Sequence, residues 1–228
     1  DTSKAKLIPG VEAIFTYEDV PNTRFTLAGQ TYPEPSAYDA LILDSVVRYV
    51  GDEVALVVAK DEATALKAMP LIKVEYEVQK PVLDLRTAMD HETVVHPEDD
   101  ILNHIPVGQD YKRNICVSYH KRVGDIEGEL AKCDYVVEGT YFDQATRQSA
   151  MEPFQSFGYI DHLGRIVIVS STQIVFHVRR HIARALGIPA SKIRVIKPRI
   201  GGGFGSKQTA CTELMTAFVT WKLQKPCY

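Results

Sequence analysis

The stretch Ile193-Arg194-Val195-Ile196-Lys197-Pro198-Arg199-Ile200-Gly201-Gly202-Gly203-Phe204-Gly205-Ser206-Lys207-Gln208 decides how this chain is read. The β-branched run 193–197 reads as a strand, Gly201 to Gly205 as a turn, and the pattern from Gln208 to Leu223 as a helix. A turn between strand and helix aims unpaired backbone N–H groups and the positive end of a helix dipole at one point. That arrangement suits an anionic group such as a phosphate or a metal oxo ligand. A lone glycine would be a tight turn; four glycines in five residues around an aromatic ask for more.

Counting tests two familiar glycine loops. A P-loop needs Gly, four residues, then Gly-Lys-Ser/Thr, but Ser206 precedes Lys207 and Gln208 follows it. The dinucleotide fingerprint Gly-x-Gly-x-x-Gly can use Gly201 and Gly203, yet its third position falls on Ser206 and no acid ends a second strand about twenty residues on. Neither loop for nucleotides is encoded.

Composition narrows the classes. The 228 residues, 45% hydrophobic and 24% charged, are those of a globular chain of one large or two modest domains. A net charge of -3 with scattered basic residues gives no case for nucleic acid. No apolar run approaches the roughly 18 residues of a membrane span, so no membrane is expected. Asp1-Thr2-Ser3-Lys4 is polar and opens no signal peptide. Cys116, Cys133, Cys211 and Cys227 lie far apart, which excludes a zinc knuckle or iron–sulfur motif in this chain and reads as reduced, mostly structural thiols of a cytoplasmic protein. The first residue is not Met, and Lys225-Pro226-Cys227-Tyr228 reads as the start of another strand, so the chain is expected to be cut at both ends.

Along the chain, residues 10–16, 54–59 and 72–78 read as strands, 54–59 buried on both faces and reached from 46–50 through Gly51-Asp52. A polar loop with Pro21, Pro33 and Pro35 intervenes, and Asp61 caps a helix with Ala65, Leu66, Met69 and Leu71 on one face. Residues 1–86 thus form a small unit, and 87–113, rich in His, Pro and acids, a connector. His91, His96 and His104 match no metal-ligand spacing. In the second unit, 114–228, strands are expected at 115–120 and 135–142 around a short helix capped by Asp125. A hairpin follows at 157–161 and 165–170, then a helix from Val175 to Leu186 stopped by Gly187, then strand 193–197 and the last helix.

Two further segments could carry chemistry. Ser171-Thr172-Gln173 sits where a strand gives way to a helix, the place where open α/β sheets hold ligand groups. The glutamine offers one donor amide and one acceptor without charge, whereas helix capping would explain only the hydroxyls. Met151-Glu152-Pro153 puts an acid in extended or turn backbone, either a site group or an exposed loop acid. His177 and His181 have the i, i+4 spacing of a zinc helix, but Val178-Arg179-Arg180 between them places cations and no catalytic Glu there, so this face reads as solvated. No Ser/His/Asp order or nucleophile elbow supports acyl transfer.

Taken together and in order, Met151-Glu152-Pro153, Ser171-Thr172-Gln173 and Lys197 to Gln208 resemble the molybdopterin-binding segments of the xanthine dehydrogenase and aldehyde oxidase family. Val47 to Ala55 with Ile72 to Glu77 resembles the same family's a/b hammerhead domain. The resemblance covers essentially the whole chain and is nearest to bacterial molybdenum subunits. It implies an α+β (mixed α/β) fold, a small hammerhead domain followed by the first part of a molybdopterin-binding domain. It also implies a molybdenum–molybdopterin cofactor bound by Gln173, Gly202, Gly203, Phe204 and Gly205, with Gln173 bonded to an oxo ligand of the metal and Gln208 and Glu152 toward substrate. The family reaction hydroxylates an N-heterocycle such as a purine, or an aldehyde, with oxygen from water. Electrons leave through [2Fe-2S] clusters to FAD on partner subunits or domains, in dimers of heteromers. The family's general base is a glutamate in a Gly-x-Gly-Glu motif, which this sequence lacks, so the chain alone is expected to be inactive. Gln208 stands where animal xanthine enzymes carry a glutamate, and Arg147-Gln148-Ser149-Ala150 where the family often has histidine before the Met-Glu-Pro segment. The alternative is a scaffold or assembly fragment that binds no cofactor by itself.

Overall fold

The computed structural model describes residues 1–28 and 31–228, so two residues of the proline-containing loop lie outside it. In the first half, α1 (Ser3–Lys6) leads into β1 (Val11–Phe15), and the chain returns after a long loop as β2 (Leu56–Ala59), antiparallel to β1. Lys60 leads to α2 (Glu62–Ala68), where the extended Asp61 accepts the Thr64 N–H and satisfies one of the orphan donors of the first turn. Short helices α3 (Leu85–Ala88) and α4 (Ile126–Leu130) follow, each capped by an aspartate, Asp84 and Asp125.

The second half holds a three-stranded sheet in the order β3-β4-β5. β3 (Ser156–Ile160) and β4 (Ile166–Ser170) form the expected hairpin, whose turn is organised by Asp161: Oδ1 accepts the N–H groups of Leu163 and Arg165, both at 2.9 Å. Helix α5 (Val175–Leu186) ends at Gly187 with φ 65°, a left-handed cap that glycine adopts without strain. It crosses over to β5 (Ile193–Ile196), parallel to β4. Helix α6 (Glu213–Leu223) then packs back on the sheet, and Cys227 pairs with Gly158 of β3 as an isolated antiparallel bridge.

The continuous apolar run of β4, Ile166 to Val169, and the 3.6-residue spacing on α5 and α6 bring Ile168, Val178, Ile182 and Phe218 together with no exposed surface. Each fully buried side chain of this size contributes about 1.5–3 kcal/mol. Phe15 of β1 meets Phe218 edge to face at 5.1 Å, so the first-half sheet shares this core. Helices and small sheets together give the α+β class. No helix among the described residues is long and apolar enough to cross a membrane.

Several expectations are corrected. Residues 72–78, 115–120 and 135–142 form no strand among the described residues: 72–78 pairs with a distant segment only at Lys73–Asp1, 115–120 keeps only the isolated Ile115–Asp110 bridge and a Ser118 N–H on the Val107 carbonyl, and the side chains of 135–142 stand in solvent, Tyr135 and Val137 at 90% exposure each. Residues 46–50 lead into a turn, in which the Asp52 carboxylate accepts the Arg48 N–H at 2.7 Å and Gly51 takes φ 116°. β2 is half-buried, because a two-stranded sheet covers one face. The last helix starts at Glu213 rather than Gln208. Cys116 and Cys133 are exposed, not part of any packed interior, while Cys211 and Cys227 are half-buried. The segment expected as a connector is tied to the first half: Arg48 donates to the Val95 carbonyl at 3.2 Å, Arg24 pairs with Asp100 at 2.8 Å, and Tyr38 and Leu102 bridge.

Candidate functional site

Parallel pairing of β4 with β5, Ile166 against Ile193 through Val169 against Ile196, sends both strands out of the sheet at one end. Ser171-Thr172-Gln173 and the glycine loop therefore emerge side by side, as the strand ends of an open sheet do at a ligand crevice. The Gln173 N–H donates to the Lys207 carbonyl at 2.9 Å, which joins the two segments through backbone. Thr172 accepts the Ile174 N–H at 3.1 Å and so starts the turn into α5, while the Gln173 side chain is exposed and makes no hydrogen bond among the described residues.

The glycine loop is built from unusual backbone. Gly202, Phe204 and Gly205 have φ of 99°, 49° and 90°, and Phe204 is 74% exposed. Ser206 closes the turn, its N–H and hydroxyl donating to the Gly203 carbonyl at 2.9 and 2.7 Å. Among the described residues, the N–H groups of Gly202, Gly203, Phe204 and Gly205 make no hydrogen bond. Successive unbonded backbone donors with left-handed φ among them are the kind of donors with which loops bind an anion or an electron-rich ligand. Gly203 is buried against the amide of Gln173: a Cβ there would lie 2.6 Å from Oε1 and 2.7 Å from Cδ. Only glycine lets the amide and the loop sit so close.

The helix dipole contributes nothing here, which corrects the expectation of a helix beginning at the loop. Residues 208–212 are irregular, and Glu213 at the start of α6 is buried, its carboxylate accepting the Ser170 hydroxyl at 2.6 Å and the Cys211 N–H at 2.8 Å. The helix is drawn to that buried polar contact, away from the loop.

Glu152 lies at the neck of the loop. Its Oε2 accepts the Gly201 N–H at 2.8 Å and Lys207 Nζ at 2.5 Å, and its own N–H donates to the Gly201 carbonyl at 3.3 Å. The Lys207 ammonium and then the Gly201 N–H hold its carboxyl below the usual carboxylate range. Gln208 is half-buried with its N–H on the Gly205 carbonyl at 3.1 Å, one step past the donor row. Gln173, Gly202, Gly203, Phe204, Gly205, Glu152 and Gln208 are thus gathered at one place. Lys207, 2% exposed, is the member that sequence reasoning missed, its signal being a lysine closing a glycine loop that is no P-loop.

The histidine face of α5 is a correction. His181 is buried, not solvated, and faces Glu34, which is 1% exposed. Glu34 binds Arg180 at 2.9 Å and the Tyr38 hydroxyl at 2.8 Å. Burial drives His181 down to about 4. A cavity of about 650 Å³, lined by Ile42, Val46, Phe154, Leu214 and Met215 among others, takes no lining residue from the glycine loop 201–207.

Known proteins carry the same two parts in the same order. Residues 1–80 match the "Aldehyde oxidase and xanthine dehydrogenase, a/b hammerhead domain" model, and residues 107–228 match the "Molybdopterin cofactor-binding domain" model. The chain is 38% identical over 250 residues to the probable hypoxanthine oxidase XdhD of Escherichia coli (strain K12), covering 99% of this chain and 26% of that protein. It is 36% identical over 225 residues to the putative xanthine dehydrogenase molybdenum-binding subunit XdhA of the same strain, covering 96% and 28%. Among solved structures, the aldehyde oxidoreductase of Desulfovibrio gigas superimposes with a TM-score of 0.79 at 25% identity, over 99% of this chain and 24% of that one. The chain spans about a quarter of the length of these relatives. With the donor row, the exposed glutamine and the two matching models in one order, the chain belongs to the molybdopterin cofactor-binding domain family, joined to the hammerhead domain of the aldehyde oxidases and xanthine dehydrogenases.

Proposed function

We propose that residues 202–205 and Gln173 form one wall of a molybdenum–molybdopterin site in a hydroxylase that acts on an N-heterocycle such as a purine, or on an aldehyde. The observation that carries this is the row of four unbonded N–H groups beside a free, neutral amide, held together by a glycine that leaves no room for a Cβ. Such a wall fits an electron-rich group: the N–H dipoles and the Gln173 NH₂ donate, and the Glu152 carboxylate nearby is already engaged with Lys207. When bound, the cofactor supplies the two-electron chemistry; the chain's residues orient it and set the local field.

Within that division of labour, the Gln173 amide donates to a ligand atom and fixes its direction, since its backbone is pinned to Lys207. The N–H groups of Phe204 and Gly205 would hold the same group. Glu152 braces the loop, and Gln208 stands beside the row as a neutral residue able both to donate to and to accept from a substrate. The domain division at 86 and 113, a general-base glutamate elsewhere in the polypeptide, FAD and [2Fe-2S] partner subunits, assembly as a dimer of heteromers and a cytoplasmic location belong to the same reading. Its support is the likeness to XdhA and XdhD.

Metal analysis of the full-length protein purified with its partners, followed by turnover of purines and aldehydes, tests the proposal. Stoichiometric molybdenum and a loss of turnover per molybdenum in Gln173→Ala are expected. Absent molybdenum would favour a scaffold without cofactor, and unchanged turnover in the variant would remove Gln173 from the site.

A further inference from the structure

We infer that Lys207 is a positioning residue, the clasp that holds the glycine loop and Gln173 at their working distance. This rests on the cofactor reading above and gives Lys207 a role of its own within it. Lys207 is 2% exposed, and a lysine ammonium is taken out of water only where a partner compensates. Its single ionic partner among the described residues is Glu152, at 2.5 Å. The same carboxylate oxygen accepts the Gly201 N–H at 2.8 Å, so one atom grips both ends of the loop, residue 201 at its entry and residue 207 at its exit.

The other end of Lys207 grips the second wall. Its carbonyl accepts the Gln173 N–H at 2.9 Å, and thus one residue touches all three segments that converge on the site. Gly203 explains why the grip has to be tight: its Cα faces the Gln173 amide at a distance that excludes a methyl group, and a small shift of either wall opens or closes that contact. Two features argue that the ammonium serves the protein and not a ligand. It is directed into the carboxylate beneath the loop, and the loop's own free donors lie at 202–205, between the clasped ends. A clasp at the neck, rather than bonds within the loop, is what leaves those four N–H groups unspent.

The test uses full-length protein in Lys207→Met, which keeps the stem and removes the charge, in Glu152→Gln, which keeps an acceptor for Gly201, and in the double variant. Three readouts are taken: molybdenum per polypeptide, amide hydrogen exchange at Gly201 and Gln173, and the line shape of the Mo(V) resonance in whatever remains loaded. Lys207→Met should lower molybdenum content by about tenfold or more and speed exchange at both amides by a similar factor, with exchange in α6 unchanged. Glu152→Gln should shift the same quantities less, and the double variant should be no worse than Lys207→Met alone, as expected for two halves of one clasp. An altered resonance is expected in the residual loaded protein, a change that loss of global stability would not produce. Wild-type loading, exchange and line shape in both single variants would overturn the inference. Should Lys207→Met fail to fold, Glu152→Gln and Glu152→Ala decide it. Wild-type protein without molybdenum would defeat the cofactor reading, while the exchange comparison would still uphold or overturn the clasp.

Discussion

Replacing Gly203 with alanine adds one methyl group at the most constrained point of the site. Gly203 is not in the left-handed region, so alanine fits the backbone and the perturbation is purely one of contact. The new Cβ would sit 2.6 Å from Gln173 Oε1, and ordinary contact begins at 3.4 Å, so the amide must retreat by about 0.8 Å. The amide is the end of a flexible side chain, and the protein should stay folded. Its donor, however, leaves hydrogen-bond geometry, and displacements near 1 Å at a reacting centre cost on the order of a hundredfold in rate. Full-length Gly203→Ala, assayed as turnover per bound molybdenum, should therefore lose most of its activity with a melting temperature near wild type. Gly205→Ala is the contrast, with open space but φ of 90°, so its penalty is backbone strain without a clash on Gln173. Wild-type turnover per molybdenum in Gly203→Ala would refute the argument that this contact sets the amide's position.

Two other expectations follow from the packing. Gly158 of β3 lies against α6, where a Cβ would be 2.3 Å from Thr220 Oγ1, so Gly158→Ala should destabilise by about 1–3 kcal/mol in chemical denaturation, and adding Thr220→Ala should restore much of it. Failure of the second change to rescue the first would place the strain elsewhere. Burial holds His181 at about 4 against an ordinary 6.5, beside Glu34, Arg180 and His177. The unfolded chain takes up this proton first as pH falls, so the stability is complete above 6.5 and declines through the window from 6.5 to about 4. By about pH 5 the loss should reach about 2 kcal/mol more in wild type than in His181→Leu, and parallel pH profiles for the two would contradict it.

Local signals made much of this fold legible. The Asp161 hairpin, the Gly187 stop and the Asp61 and Asp125 caps act over a few residues, and sequence reading placed each of them. Alternation marked 72–78 as extended and 135–142 read as a strand, but a strand needs a partner, and pairing is not a property of the segment. The start of α6 was misplaced because residues 208–212 answer to a tertiary contact, the buried Glu213 carboxylate bonded to Ser170 across 43 positions of sequence. His181 read as surface because its acid lies far away in the chain; the neighbouring Arg180 reaches that same Glu34 across 146 positions. Within the site, the motif residues stood out by type and order, whereas the role of Lys207 depends on Glu152, 55 positions earlier.

The central claim concerns where the cofactor sits against this chain. A crystal structure of the full-length, molybdenum-loaded protein measures it directly, as the distance from the Gln173 amide nitrogen and the N–H groups of residues 202–205 to the nearest cofactor ligand atoms. The account predicts hydrogen-bond contacts of about 3 Å from Gln173 and from at least one of the loop amides. A cofactor bound elsewhere, with this donor row facing only water, would contradict it.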